Sequence, residues 1–349
     1  MKKIVGIIAA VAMAASVFAA DVSAKVEILG RLFNYDGDNI GSLAIAEGNR
    51  NWNPVFQMQV SGDKAGAKVA FNDKKSGGEV KSINYSIWFK PVDILKFNIG
   101  EFATELNQEK IDWCQTETKI EGNGVALNIA SNGLTFDLFF NTGWTEGNWD
   151  QGAAVYWLKK DKDQKAVVGE TYFKFGYAAD FGSITAYFDA QNTFKLLEFG
   201  AGYANTFGSV NMFVNALATI NTDNDDSFGR FRGELFASTN VDAFGISAFI
   251  AGEYQGKNPA GVSWWRIADN TQKPEKALVG ASLKLTYGLD GFTPYLYIKD
   301  VDFLADKFGM ELKPGVTFNV GTCAFDIALD MNLGEKFTLD VPVGMTVAF

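Results

Sequence analysis

The sequence predicts an all-β fold, a transmembrane antiparallel up-and-down β-barrel of about eighteen strands, with sixteen as the fallback. Three observations predict it. Apolar residues alternate with period two in segments of about ten residues from Lys25 to the C-terminus. Long and short connections alternate between those segments. After Ala20 no stretch approaches the ~18 consecutive apolar residues of a spanning helix, and the mean hydropathy of -0.01 suits a barrel in which half of each strand faces water.

Lys2 and Lys3 precede an apolar run from Ile4 to Phe18, and Val17-Phe18-Ala19 suits a signal peptidase. Residues 1–19 therefore read as a cleaved signal peptide and residues 20–349 as a single barrel domain. A membrane anchor is the alternative, but the run is shorter than a spanning helix needs. No Cys near the cleavage point offers a lipidation site. Cleavage removes two lysines and moves the net charge from -10 to -12. With a pI of about 4.7 the chain is a poor polyanion binder, which excludes nucleic acid as a partner.

The predicted strands run approximately 25–33, 54–61, 65–72, 82–90, 94–102, 124–131, 133–141, 169–178, 183–190, 195–204, 209–219, 229–239, 244–253, 276–287, 292–299, 310–319, 323–331 and 337–349. Odd connections are long or polar: 34–53, 73–81, 103–123, 142–168, 220–228, 254–275 and 300–309, with 191–194 and 332–336 as brief exceptions. Even connections are tight and carry hairpin chemistry, as in Gly62-Asp63-Lys64, Asp180-Phe181-Gly182 and Thr206-Phe207-Gly208. A membrane barrel has short turns at one end and longer loops at the other, and an even strand number leaves both termini on the short-turn side.

Facing follows from the alternation. Val210, Met212, Val214, Ala216 and Ala218 are expected to face lipid, with Asn211, Phe213, Asn215 and Thr219 inward. Leu134, Phe136, Leu138 and Phe140 oppose Thr135, Asp137 and Asn141. Phe-Gly pairs at 181–182, 207–208, 228–229, 244–245 and 308–309 are expected to form aromatic girdles at the headgroup levels. Seven of the eight tryptophans fall in long connections and read as interface anchors, with sugar stacking as the alternative. Cys114, in a long loop, and Cys323, in a short turn, lie at opposite ends of a wall ~25 Å tall, so two free thiols are expected.

The chemistry that is missing narrows the function. The chain contains no histidine, so Ser-His-Asp and Cys-His machinery is impossible. It contains neither zinc-ligand spacing nor a P-loop, and its scattered acids nominate no glycosidase pair. The acidic run Asn221 to Asp226 lacks the spacing and bidentate Glu of an EF-hand. No enzymatic activity, metal or cofactor is predicted.

From Phe337 to Phe349 seven apolar residues alternate without a break, and the chain stops on Phe349. This resembles the closing strand of bacterial outer-membrane barrels, in which the barrel-assembly machinery reads the terminal aromatic. Phe349, Val347 and Met345 are the corresponding signal. With the signal peptide, strand size and loop alternation, the mature chain resembles bacterial general porins. The start, Ala19 to Lys25 leading to Leu32-Phe33-Asn34-Tyr35-Asp36, is faintly similar to treponemal outer-membrane proteins.

The porin resemblance implies a water-filled channel in the outer membrane for passive diffusion of small polar solutes and ions, lipids as surroundings and a homotrimer. It also implies that the third external loop, 103–123, folds inward and places Glu105, Glu109, Asp112, Glu117 and Glu121 at a constriction. Arg230 and Arg232 share one strand face with Glu234, and a guanidinium facing lipid costs ~2–4 kcal/mol near the midplane, which turns both inward. Either they face the acidic loop and create a transverse field, or they pair with lumen carboxylates and brace the wall. A non-conducting barrel serving as an adhesin or surface anchor, and a secreted soluble all-β binding protein, are the alternative readings.

Overall fold

The computed structural model describes residues 21–45, 55–72, 82–105, 119–141, 159–160, 166–167, 171–191, 196–222, 228–257, 275, 277–304, 309–334 and 336–348. Twenty strand segments form one antiparallel sheet that closes on itself. They are β1 (Asp21–Tyr35), β2 (Ile40–Ile45), β3 (Val55–Ser61), β4 (Ala65–Asn72), β5 (Ser82–Val92), β6 (Leu95–Glu105), β7 (Lys119–Ser131), β8 (Leu134–Asn141), β11 (Thr171–Ala179), β12 (Gly182–Gln191), β13 (Leu196–Phe207), β14 (Val210–Asn221), β15 (Phe228–Val241), β16 (Phe244–Gln255), β17 (Ala277–Tyr287), β18 (Phe292–Asp302), β19 (Met310–Val320), β20 (Cys323–Ala328), β21 (Asp330–Leu333) and β22 (Thr338–Ala348). The two-residue β9 (Lys159–Lys160) and β10 (Ala166–Val167) pair apart from the wall.

β2 and β3 both pair with β1, at its two ends. β20 and β21 both lie between β19 and β22. Each couple forms one broken strand, so the wall has eighteen strands. Closure runs through β1 and β22, with Val26 opposite Val347 and Ile28 opposite Met345. The expected pairing of the C-terminal strand with the strand at Lys25 is thus the seam of the barrel.

Several boundaries differ from the sequence expectation. The connection expected at 34–53 is a strand end, a tight turn and a further strand. β1 continues to Tyr35, Asp36 Oδ1 accepts hydrogen bonds from the backbone N–H groups of Asp38 at 3.0 Å and Asn39 at 2.7 Å, and β2 returns from Ile40. Those two donors also hold the Asp36 carboxyl below its ordinary pKa. The expected loop 103–123 narrows, because β6 reaches Glu105 and β7 begins at Lys119, paired to each other. The strand expected at 323–331 breaks at Leu329, whose N–H donates to Pro314 O at 2.9 Å.

Short connections gather at one end with residues 21 and 348. Between β7 and β8, Asn132 and Gly133 both take positive φ, of 51° and 82°, which fits a two-residue turn matched to strand twist. Between β5 and β6, Lys64 from the neighbouring turn donates to Asp93 and holds that carboxyl below its ordinary pKa. Phe181, Phe207, Phe244, Tyr287 and Phe292 are exposed at this end and form the expected aromatic level there, and Phe228 is exposed at the other end. Phe308 lies outside the described residues, as do Cys114, residues 1–19 and the seven loop tryptophans. Cys323 is a free thiol.

The facing prediction holds along the wall. Val214, Phe231, Leu235 and Ile250 are exposed on the outer surface, whereas Phe213, Asn215, Thr219 and Phe249 are buried on the inner side. An apolar exterior with every wall strand paired on both sides satisfies the backbone without water, the condition for spanning lipid. The ladder is less regular at β5–β6, where Pro91 lies and the register shifts, and along one arc from β17 to β1. Pro294, Pro314 and Pro342 lie in β18, β19 and β22, and registers shift between β17 and β18 and between β1 and β22.

Candidate functional site: the inward face of the wall

Cross-strand register assembles a charged cluster in the half of the barrel nearer the long loops. Asp189, Glu198, Thr219, Arg230 and Gln255 are direct partners across five successive strands. The adjacent row contains Tyr187, Gly200, Leu217, Arg232 and Glu253. Period two turns both rows to the same face, and Phe231 and Leu235 of β15 point outward.

Arg230 and Arg232 are 7% and 0% exposed. Arg232 Nε donates to Glu234 Oε1 at 2.9 Å, and its Nη1 approaches Glu253 Oε2 at 3.5 Å. Arg230 reaches Glu198 Oε2 at 3.3 Å and Glu253 Oε2 at 3.7 Å. Glu253 therefore bridges both guanidiniums. The outer lone pairs are also used: Tyr187 OH donates to Glu198 at 2.6 Å, Gln255 Nε2 to Glu253 at 2.8 Å and Asn215 Nδ2 to Glu234 at 3.2 Å. Gly200 makes the Tyr187 position available, since a Cβ there would overlap the Tyr187 ring. Beneath the charges, Phe213 and Phe236 stack at 5.0 Å and pack with Phe249 and Ala251.

This cluster links two guanidiniums and three carboxylates in a nearly dry environment. Such groups are held by direct ion pairs and hydrogen bonds, because water cannot replace a lost partner. A solute in the lumen meets little of either guanidinium.

The opposite side of the inner face is wetter. Arg31 and Asp340 are 3.7 Å apart across the seam, with side chains 34% and 25% exposed. Lys25 and Glu27 pair at 2.9 Å on the same strand. Lys90 and Lys96 lie 5.7 and 5.1 Å from the Trp88 ring centre, a cation–π arrangement. Between the two regions, Lys174 and Asp137 are 3.9 Å apart, and Asn128 donates to Asp137 at 2.8 Å. Tyr295 and Tyr297 stack at 4.4 Å, and Tyr295 OH donates to Asp326 at 2.6 Å.

Of the acidic residues expected in the constriction loop, Glu105 and Glu121 belong to the backbones of β6 and β7. Glu109, Asp112 and Glu117 lie outside the described residues. Met345 and Val347 sit in β22 at the seam, and Phe349 lies outside the described residues. Sequence parity turns Glu234 inward with the two arginines but does not single out Glu198, Asp189, Glu253, Gln255 or Tyr187. Parity along 244–255 would have turned Glu253 and Gln255 inward with Phe249. Among the described residues no group of three or more His, Cys, Asp or Glu side chains could hold a metal.

Comparison with solved structures places the architecture among known barrels. The chain aligns with OccK3 (OpdO) of Pseudomonas aeruginosa at a TM-score of 0.61 and 9% identity, covering 94% of this chain and 96% of that one. The outer membrane protein OpdK of the same organism aligns at 0.60 and 9% identity over 94% and 99% of the two chains. The outer membrane protein OprD aligns at 0.55 and 10% identity over 93% and 94%. No protein-family model and no curated protein matches the sequence. At this identity the likeness is one of fold, and it extends over nearly the whole of each chain.

Proposed function

We propose that the protein is an outer-membrane porin that passes small hydrophilic solutes and ions by passive diffusion. The observation that carries this reading is the pairing of an apolar exterior with half-exposed inward charges such as Arg31 and Asp340 in a closed eighteen-strand wall. A wall of this strand number leaves an aqueous lumen unless it is filled. Likeness over nearly full length to barrels described as outer membrane proteins supports the location. Arg230 and Arg232 serve in it as braces of the wall, since both are buried and held by Glu198, Glu234 and Glu253.

The barrel-assembly machinery and outer-membrane lipids are the partners that this reading calls for, and a homotrimer is its expected assembly. Deleting Phe349 is expected to slow insertion. Planar-bilayer recording of the purified, heat-modifiable barrel tests the function: discrete conductance steps in simple salts are the expected result. A folded barrel that gives none would favour the surface-anchor reading, and recovery in the soluble fraction without detergent would favour the secreted binding protein.

A further inference from the structure

We infer that the permeation path is eccentric, running beside the seam of β1 and β22, and that Arg31 and Asp340 rather than Arg230 and Arg232 set its charge preference. This rests on the channel reading and deepens it. The warrant is a gradient of exposure among inward ion pairs. Lys25 and Glu27 have side chains 40% and 34% exposed, and Arg31 and Asp340 34% and 25%. About three strands from the seam on one side the values fall to 17% and 14% for Lys299 and Glu311, and about seven strands from it on the other they are 17% for both Lys174 and Asp137. In β13 to β16 they reach 8% for Arg230 and zero for Arg232, Glu234 and Glu253.

Depth does not explain the gradient. Asp340 is the third residue of β22, Arg230 the third of β15, and Glu253 the third from the end of β16. All three stand at comparable distances from the loop end, yet Asp340 is 25% exposed where Glu253 is fully buried. Water inside the barrel therefore lies against the seam and is excluded from the opposite wall. The field of a charge is felt by a passing ion mainly where water and ion reach it, since a compensated buried pair presents little net charge at a distance.

The test uses full-length barrel with Cys114 and Cys323 replaced by serine, reconstituted in planar bilayers. Single cysteines are introduced at Arg31 and Gln57 on the seam side and at Thr219 and Asn215 beside the buried cluster, and each is treated with an anionic methanethiosulfonate. The expected result is lost conductance and a reversal potential shifted toward cations for R31C and Q57C, and no change for T219C and N215C. Asp340→Asn should shift selectivity toward anions. Block at T219C or N215C equal to that at R31C and Q57C would overturn the eccentric path while leaving the channel intact. A parent barrel that is folded but silent would instead remove the channel reading itself.

Discussion

Replacing Glu253 with alanine removes a carboxylate shared by two buried guanidiniums. Arg230 would keep Glu198 at 3.3 Å and Arg232 would keep Glu234 at 2.9 Å, but the pairs at 3.7 and 3.5 Å would be lost together. The Gln255 amide would also lose its acceptor. Each guanidinium keeps one carboxylate, so the loss is mainly that of the two charge-assisted hydrogen bonds from Arg232 and Gln255, at about 1.5–3 kcal/mol each or about 3–6 kcal/mol together. At about 1.4 kcal/mol per tenfold this is a change of roughly 10²–10⁴ in the unfolding constant. Glu253→Gln keeps the shape and an acceptor oxygen and should cost about 1–3 kcal/mol.

The informative control is Glu27→Ala. Its pair with Lys25, at 2.9 Å, is shorter than either ion pair of Glu253. Distance alone would rank it as the stronger. Its exposure reverses the order, since solvated pairs contribute about 0–1 kcal/mol. Urea unfolding from phospholipid vesicles, followed by tryptophan fluorescence, gives both values. A Glu253→Ala loss under about 1 kcal/mol, or one no larger than that of Glu27→Ala, would refute burial as the source of the network's strength.

Three further expectations follow from the wall. Gly200→Ala drives a methyl into the Tyr187 ring and should destabilise by about 1–3 kcal/mol in the same assay, with a less than additive loss when combined with Tyr187→Ala. Leu235→Arg on the outer face should cost about 2–4 kcal/mol, against a much smaller loss for Ser238→Arg on the inner face of the same strand; equal losses would contradict the facing. The depressed pKa of Asp93 means that its contribution is complete above the ordinary carboxylate range and is lost as pH falls through the folded value. Between about pH 5 and about pH 2 the urea midpoint of Asp93→Asn should therefore fall less steeply than that of the parent.

The strand sequence, the seam and the facing could be read from alternation because period two leaves each strand one lipid face, and a slip of one residue would invert it. Val210 to Thr219 is the clearest case: Val210 and Val214 are exposed and Phe213, Asn215 and Thr219 buried, as expected, with Asn211 exposed near the strand end. The turn at Asp36 to Asn39 was hidden because β2 is only six residues long and runs into the polar stretch from Glu47 to Asn53, so both disappeared into one long connection. The charged cluster was half visible. Parity turns Arg230, Arg232 and Glu234 inward on one strand, but which carboxylate meets which guanidinium depends on the register of β13, β14 and β16 against β15, and a single sequence carries no cross-strand register. Glu253 stands 21 residues from Arg232, and only the pairing of β15 with β16 makes them neighbours.

The prolines and register shifts of the wall have a mechanical consequence. A closed hoop spreads radial load through its rungs, and proline supplies no N–H for a rung. From β11 to β16 every neighbouring pair is in continuous register apart from one shift near the end of β14. From β17 through β22 to β1, three prolines, two register shifts and the break at Leu329 interrupt the sequence of rungs. The barrel is in effect a stiff arch closed by a compliant arc, and the buried network lies in the arch. Widening under strain is taken up by the arc, so the lumen enlarges on the side of Arg31 and Asp340 while the guanidinium cluster keeps its geometry.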